Sequence, residues 1–306
     1  MSGPAAIALQ PLRAANERRP AWHDWLVLAV FAAVMVLVPT TWPPWAKMWL
    51  VALAIYAGCK WLTWRQATRR GITRTLQAGY LLAWPGMDAE AFFGRAAPSV
   101  KAPLASEWWF ATGKLMAGTT LLVLATKWSG TAPLFAGWLG MAGVVFCLHF
   151  GAFHLLSCGW RQAGVAAAPL MDWPIAARGV SDFWGGRWNR AFRDVTHRWL
   201  FRPLANRRHP ALALIAGFVA SGIVHELVIS LPAGAGYGGP TLYFTLQGIA
   251  ILVERSRAGR RLGLGRGFRG WLFALVALIA PLGLLFHAPF VLRVVVPMLQ
   301  DLEALL

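Results

Sequence analysis

A chain of 306 residues that is 58% hydrophobic and only 13% charged does not fit a soluble domain, where roughly a quarter of residues are charged. Its apolar runs lack the two-residue alternation of a barrel strand, which leaves an α-helical membrane protein. The formal charge of +17 brings nucleic acid to mind, but the basic residues fall in blocks between the apolar runs, so no nucleic-acid partner is expected.

In chain order, the runs predict membrane-spanning helices at residues 24–38, 45–62, 107–127, 132–158, 211–231, 240–254 and 270–287, with a weaker candidate at 288–300. The fold class expected is an all-α polytopic membrane protein, about seven or eight transmembrane helices with one amphipathic helix in the interface. The first run follows Arg13, Arg18 and Arg19 as in a signal peptide, yet "PTTWPPW" stands where small cleavage-site residues belong, so it is read as a span. No internal repeat or linker divides the chain, and residues 1–306 are read as one integral membrane domain.

Basic blocks at 13–19, 60–74, 178–208 and 255–269 alternate with loops, "TTWPPW", "WSGTAP" and "PAGAGYGG", that contain no Lys or Arg. The positive-inside rule puts the blocks and the N-terminus in the cytoplasm. The membrane would be the inner membrane of a bacterium or the endoplasmic reticulum of a eukaryote. Cys59, Cys147 and Cys158 fall in or at the ends of spans without metal spacing, so no disulfide framework is expected. "WPGMD" at 84–88 reads as a turn supplied by Pro85 and Gly86, with Trp84 marking the interface.

His149 and His154, five residues apart, point to different helix faces and read as packing or tunnel-lining groups. Seven histidines without clustered boxes argue against a di-iron centre, and no metal is expected.

The stretch "VSDFWGGRWNRAFRD" is the first unusual one. As a helix over 182–201 it lines up Trp184, Trp188, Phe192, Val195 and Trp199 as one stripe, with Arg187, Arg190, Arg193 and Arg198 on other faces. Such a helix lies in the membrane interface, and anchoring alone would account for it. Ser181 or Asp182 is placed to cap it. Gly185 and Gly186 signal a close backbone approach or a bend, and Asn189, off the stripe, projects toward the protein interior.

The second is "ASGIVHELVIS", where His225 interrupts a span, with Ser221 and Gly222 one turn before it. Gly217 and Ser221 have the spacing of close helix packing. An ionisable group at membrane depth is expensive and marks a pathway or cavity. Burial favours the neutral imidazole, which can take the proton of an alcohol as it attacks an acyl carbonyl, while a fixed amide such as that of Asn189 donates where charge develops. Glu226 lies about 100° further round the helix and is set to pair with another helix rather than to share the pocket. "HELVI" lacks the second histidine of a zinc protease, since position 229 is Ile. Gln247 is expected to line the cavity and Glu254 to pair with an arginine.

In order, "DFWGGRWNRAFRD", "FVASGIVHELVIS" and "YFTLQGIAILVE" resemble the membrane-bound O-acyltransferase family, and within it the plant-type wax synthase branch, over residues 172–257. That branch carries a pattern like D-F-W-G-R-R-W-N and then V-S-G-x-x-H-E; Gly186 departs from it where a basic residue is usual, and Arg187 keeps the next one. The resemblance implies an acyl-CoA-dependent transferase with His225 in the position of the catalytic histidine and Asn189 in that of the second polar residue. Asp182, Trp184, Arg187, Trp188, Ser221 and Gln247 are then the candidate substrate-binding residues. The donor is acyl-CoA, its phosphates meeting some of Arg187, Arg190, Arg193, Arg198, Arg207 and Arg208. The acceptor is a lipophilic alcohol, a long-chain alcohol foremost, and membrane lipids surround the protein. No cofactor beyond the co-substrate is implied, because a thioester is already activated. A sterol, glycan or specialised metabolite as acceptor stays open. From other classes, a lipid or small-molecule transporter that uses His225 for proton coupling, or a lipid-binding scaffold, stays open too.

Overall fold

The computed structural model describes residues 39, 41–67, 71–94, 100–196 and 210–306. The span expected at 24–38, with Arg13, Arg18 and Arg19, and the later Arg198, Trp199, Arg207 and Arg208 lie outside the described residues. The described chain forms helices α1 (Pro44–Gln66), α2 (Arg74–Ala83), α3 (Ala105–Trp128), α4 (Pro133–Gln162), α5 (Arg190–Thr196), α6 (Pro210–Ala233), α7 (Gly239–Arg255), α8 (Arg257–Leu262), α9 (Gly267–Leu285) and α10 (Val296–Glu303), and no strand among the described residues.

Helices α4, α6 and α9, of 30, 24 and 19 residues, are long and apolar enough to cross a membrane. Only 17%, 22% and 17% of their most apolar windows is buried within the protein, so the remaining surface needs a lipid cover. Helices α1, α3 and α7 coincide with the runs at 45–62, 107–127 and 240–254. They do not reach the same combination of length and hydropathy: α1 carries Lys47, Lys60 and Arg65, α3 carries Glu107, Lys114 and Lys127, and α7 has 17 residues.

Glycine sets how closely these helices cross. A Cβ on Gly118 of α3 would lie 2.4 Å from the Cys147 backbone nitrogen, and one on Gly151 of α4 would lie 2.8 Å from Leu115 Cα. In lipid there is little hydrophobic drive between helices, so such backbone approach supplies the attraction. The weak candidate at 288–300 packs inward. Val291, Val294 and Leu299 are inaccessible, with Val291 and Leu299 seated on Gly137 and Gly140 of α4.

Two expectations fail in the α1–α2 region. Lys60 does not head a cytoplasmic surface block: it is 1% exposed, donates to the Gly86 carbonyl at 2.6 Å and sits 3.2 Å over the Tyr80 ring. Trp84 is buried rather than interfacial, and a Cβ on Gly86 would strike its indole. The cause is the loop between them. Its carbonyls have no helical donors, so Lys60 and the Tyr56 hydroxyl, 3.0 Å from the Trp84 carbonyl, supply them.

The tryptophan segment is not the single helix expected over 182–201. It runs as one turn over Val180–Asp182, widens to a π-turn over Phe183–Arg187, extends at Trp188 (φ −103°, ψ 128°) and turns left-handed at Asn189 (φ 40°) before α5. Paired glycines hold an α-helix poorly, and asparagine tolerates the left-handed region, so the break falls where the sequence resists it least. The glycines belong to the bend, not to a close approach: nothing lies within 4 Å of a Cβ placed on Gly185, and Gly186 would meet only Asp182 Oδ1 at 3.9 Å.

Neither Ser181 nor Asp182 caps this segment. Asp182 Oδ2 accepts from the Arg178 N–H at 2.9 Å and from Arg187 Nε at 2.8 Å. The cap is Glu254, at the far end of α7, whose Oε2 accepts from the N–H groups of Val180 (2.6 Å) and Ser181 (3.2 Å). This replaces the arginine pairing expected for Glu254, because the unpaired N–H groups at a helical N-terminus compete well for a carboxylate.

Candidate active site

Helix α6 is regular up to His225 and then widens into a π-turn over Glu226–Ser230, a distortion common at functional sites. His225 Nδ1 lies 2.7 Å from the Ser221 carbonyl oxygen. A carbonyl only accepts, so Nδ1 carries the hydrogen and Nε2 keeps its lone pair. The Ser221 hydroxyl donates back to the Gly217 carbonyl at 3.1 Å. Ser221 therefore orients the histidine through its backbone, while its side chain is committed to its own helix.

The imidazole packs on Phe244, centroid to centroid 4.4 Å. Phe244 also meets Trp184 at 5.6 Å, and Trp184 meets Phe218 edge-on at 5.8 Å. Trp184 Nε1 donates to Gln247 Oε1 at 3.4 Å, and the inaccessible Gln247 donates through Nε2 to the Ala277 carbonyl at 2.8 Å. Both ends of that amide are thus engaged, so Gln247 positions Trp184 rather than offering a free group. The sequence reading missed Phe218 and Phe244. The available signal was spacing: Phe244 lies three residues before Gln247, on the same face of α7.

Trp188 and Asn189 belong to a neighbouring cluster. Trp188 stacks between Phe183 (5.6 Å, 12°) and His149 (6.2 Å, 16°). Asn189 Oδ1 accepts from the Phe192 N–H at 3.3 Å, capping α5, and its own N–H donates to Met171 Sδ at 3.2 Å. No hydrogen bond joins Asn189 to His225 among the described residues. The two clusters meet at Phe183, which is edge-on to Trp184 at 5.0 Å and stacked on Trp188. His149 sits in a π-helical stretch of α4, Val145–Ala152, with Nδ1 buried and unpartnered among the described residues. That leaves a second imidazole against Trp188, where spacing alone indicated a packing or tunnel-lining group.

Arg187 is occupied by structure. Besides Asp182 it donates through Nη1 to the carbonyls of Asp172 (3.2 Å) and Trp173 (3.3 Å). Arg193 Nη1 donates to the Gly185 carbonyl at 2.7 Å. These bonds hold the bend in place.

Glu226 faces away from the imidazole. Its Oε1 accepts from the N–H groups of Gly238 and Thr241 and from the Thr241 hydroxyl, each at 3.0 Å, at the N-terminus of α7. A Cβ on Gly222 would lie 2.6 Å from Thr241 Cα. Bare backbone at Gly222 and a carboxylate at the positive end of α7 together fix α6 against α7, which sets the His225–Phe244 contact.

A charged group on α3 and α4 lies apart. Glu107 Oε1 accepts from His154 Nε2 at 2.9 Å and from Arg161, and Lys114 Nζ donates to His154 Nδ1 at 2.7 Å. Ligand atoms of Glu107, His154 and Cys158 lie within 4.8 Å of one another. Yet Lys114 and Arg161 already occupy the lone pairs a cation would need, and add two positive charges beside it. The group is a charge network, and His154 belongs to it while His149 faces the tryptophans.

Comparison with known proteins covers this part of the chain. Residues 167–246 match the model of the membrane bound O-acyl transferase family. The chain is also similar to a long-chain-alcohol O-fatty-acyltransferase of Simmondsia chinensis, 28% identical over 126 residues, which is 36% of this chain and 36% of that relative. The match therefore spans about a third of the relative's length. Through the segment that carries Trp184, Asn189 and His225, the chain is similar to the membrane-bound O-acyltransferase family.

Proposed function

We propose that the protein transfers a fatty acyl group from acyl-CoA to the hydroxyl of a long-chain alcohol, giving a wax ester. One observation carries this: within the family-matched segment, His225 is tied through Nδ1 to the Ser221 carbonyl, leaving Nε2 as a base beside an aromatic wall. His225 Nε2 takes the proton of the alcohol as its oxygen attacks the thioester carbonyl. The tetrahedral intermediate collapses, the C–S bond breaks, and the imidazolium returns the proton to the leaving thiolate, so the base is regenerated. A thioester undergoes this exchange without a further cofactor. Asn189 is assigned as a hydrogen-bond donor to the substrates, through the Nδ2 group that its capping bond leaves unused. Trp184, Trp188 and Phe244 offer apolar surface to the chains. The acceptor class is supported by the name of the Simmondsia chinensis relative. In this proposal α1, α3 and α7 cross the bilayer with α4, α6 and α9, and the basic blocks face the donor in the cytoplasm.

The test uses purified protein in lipid nanodiscs with palmitoyl-CoA and a panel of alcohols, sterols and diacylglycerol, following CoA release and ester formation together. Hexadecanol is expected to give stoichiometric CoA and wax ester. Substrate movement driven by a proton gradient with no thioester consumed would point to transport instead. Asn189→Asp keeps the cap and tolerates the left-handed backbone but loses the amide donor, and is expected to lower kcat by about a hundredfold with unchanged thermal unfolding. Full activity in that variant would confine Asn189 to capping α5.

A further inference from the structure

We infer that the turn between α7 and α9 is the phosphate-binding part of the donor site, a pocket in which four arginines hold the nucleotide end of the acyl carrier. This rests on the acyl-CoA function proposed above. Arg257, Arg260, Arg261 and Arg266 line one cavity of about 350 Å³. Among the described residues none of the four pairs with a carboxylate. Cytoplasmic placement explains the sign of a basic loop, but not the gathering of four arginines around one shallow concavity, where their like charges favour the entry of an anion.

The pocket is built into the fold. Left-handed glycines at Gly263 (φ 76°) and Gly267 (φ 58°) bracket the turn that folds α8 back toward α9. A Cβ on Gly259 would lie 2.1 Å from the Val253 carbonyl oxygen, so α8 lies directly against the end of α7, and Ser256 Oγ caps α8 by accepting from the Gly259 N–H at 2.9 Å.

The same turn is fastened to the start of the tryptophan segment. Glu254 accepts from the Val180 and Ser181 N–H groups, and its Oε1 would lie 3.2 Å from a Cβ on Gly265. Arg255 Nε donates to Ser181 Oγ at 3.2 Å, and Trp271 Nε1 to the Ile175 carbonyl at 2.8 Å. A Cβ on Gly270 would lie 2.1 Å from the Arg178 carbonyl oxygen. Phosphates bound at this turn are therefore coupled through Glu254 to the segment that presents Trp184.

The chemistry fits a polyphosphate better than a single anion. Planar guanidinium forks pair with phosphate oxygens two bonds at a time, and coenzyme A carries a diphosphate and a ribose 3′-phosphate on a long arm that ends in the thioester. Of the arginines nominated from the sequence, Arg187 is bonded to Asp182 and two loop carbonyls and Arg193 to Gly185, while Arg198, Arg207 and Arg208 lie outside the described residues; of the four at the turn, Arg260 also donates to the Arg255 carbonyl.

The experiment compares wild type with Arg257→Gln/Arg261→Gln in nanodiscs of neutral phosphatidylcholine, with thermal unfolding as the check on folding. Adenosine 3′,5′-bisphosphate binding is measured by calorimetry, and KM is measured for palmitoyl-CoA and for palmitoyl-pantetheine, which lacks the phosphates. The expected result is bisphosphate affinity weakened about tenfold or more, KM for palmitoyl-CoA raised to match, and KM for palmitoyl-pantetheine and for hexadecanol unmoved. Equal bisphosphate affinity in both proteins, or an equal KM rise with both thioesters, overturns the proposal. A variant that keeps its bisphosphate affinity but loses stabilisation by phosphatidylglycerol in the nanodisc marks a lipid-headgroup site, which also overturns it. Absence of all thioester turnover in the wild type sinks the acyl-transfer function alone, since bisphosphate binding still decides the pocket.

Discussion

His225→Ala is expected to lower wax-ester formation by about 10²- to 10⁴-fold, the usual contribution of a positioned general base, with the protein still folded. Among the described residues the imidazole makes one hydrogen bond, to a carbonyl of its own helix, and one ring contact, to Phe244. Its removal leaves no charged group unpaired, so unfolding temperature should fall little. The pattern that identifies a base is a fall in kcat with little change in KM for either substrate, together with loss of CoA release. His225→Gln sharpens the test, because it retains a polar side chain near the Ser221 carbonyl but has no basic nitrogen. Ester formation at wild-type rate in either variant would remove His225 from the chemistry.

Glu226→Leu is expected to destabilise the protein by about 3 kcal/mol or more, since Oε1 accepts from two backbone N–H groups and one hydroxyl at the start of α7 and all three would lose a charged acceptor. Activity should fall with it, because that contact holds α6 against the helix carrying Phe244 and Gln247. Glu226→Gln separates structure from chemistry. Its amide oxygen can accept the same three bonds, its NH2 takes the place of Oε2, which is buried without a hydrogen-bond partner among the described residues, and the interaction of the charge with the helix end, about 0.3–1 kcal/mol, is lost. Near-normal turnover in the Gln variant, beside an unstable Leu variant in thermal unfolding, is the outcome for a clamp. A Gln variant that is stable yet inactive would mean that the carboxylate moves a proton.

Bends in the chain were less legible than helices. The glycines at 185 and 186 signalled a bend or a close approach without deciding between them, and Asn189 read as a polar group on a continuous helix. The left-handed turn at Asn189 is decided by partners remote in sequence or outside the helical period: Met171 accepts its N–H, Arg190 donates to the Leu170 carbonyl, and Phe192 takes its side chain as a cap. A tryptophan stripe drawn on a helical wheel therefore separates into two clusters, one with His225 and one with His149.

What the sequence by itself determined is what depends on local pattern: an all-helical membrane protein, the approximate limits of α1, α3, α4, α6, α7 and α9, and His225 as a costly polar group within an apolar run. Hydropathy and helical period act over a few turns, so one strand of text carries them. Tertiary structure alone decided which polar groups meet. Glu254 caps Val180 across the chain, Glu226 takes the N-terminus of α7, Gln247 holds Trp184, and four arginines line one shallow concavity. A buried carboxylate, amide or ammonium must find a partner, but several partners of suitable chemistry exist in the sequence, and only the packing of helices, set by glycines such as Gly222 and Gly270, selects among them.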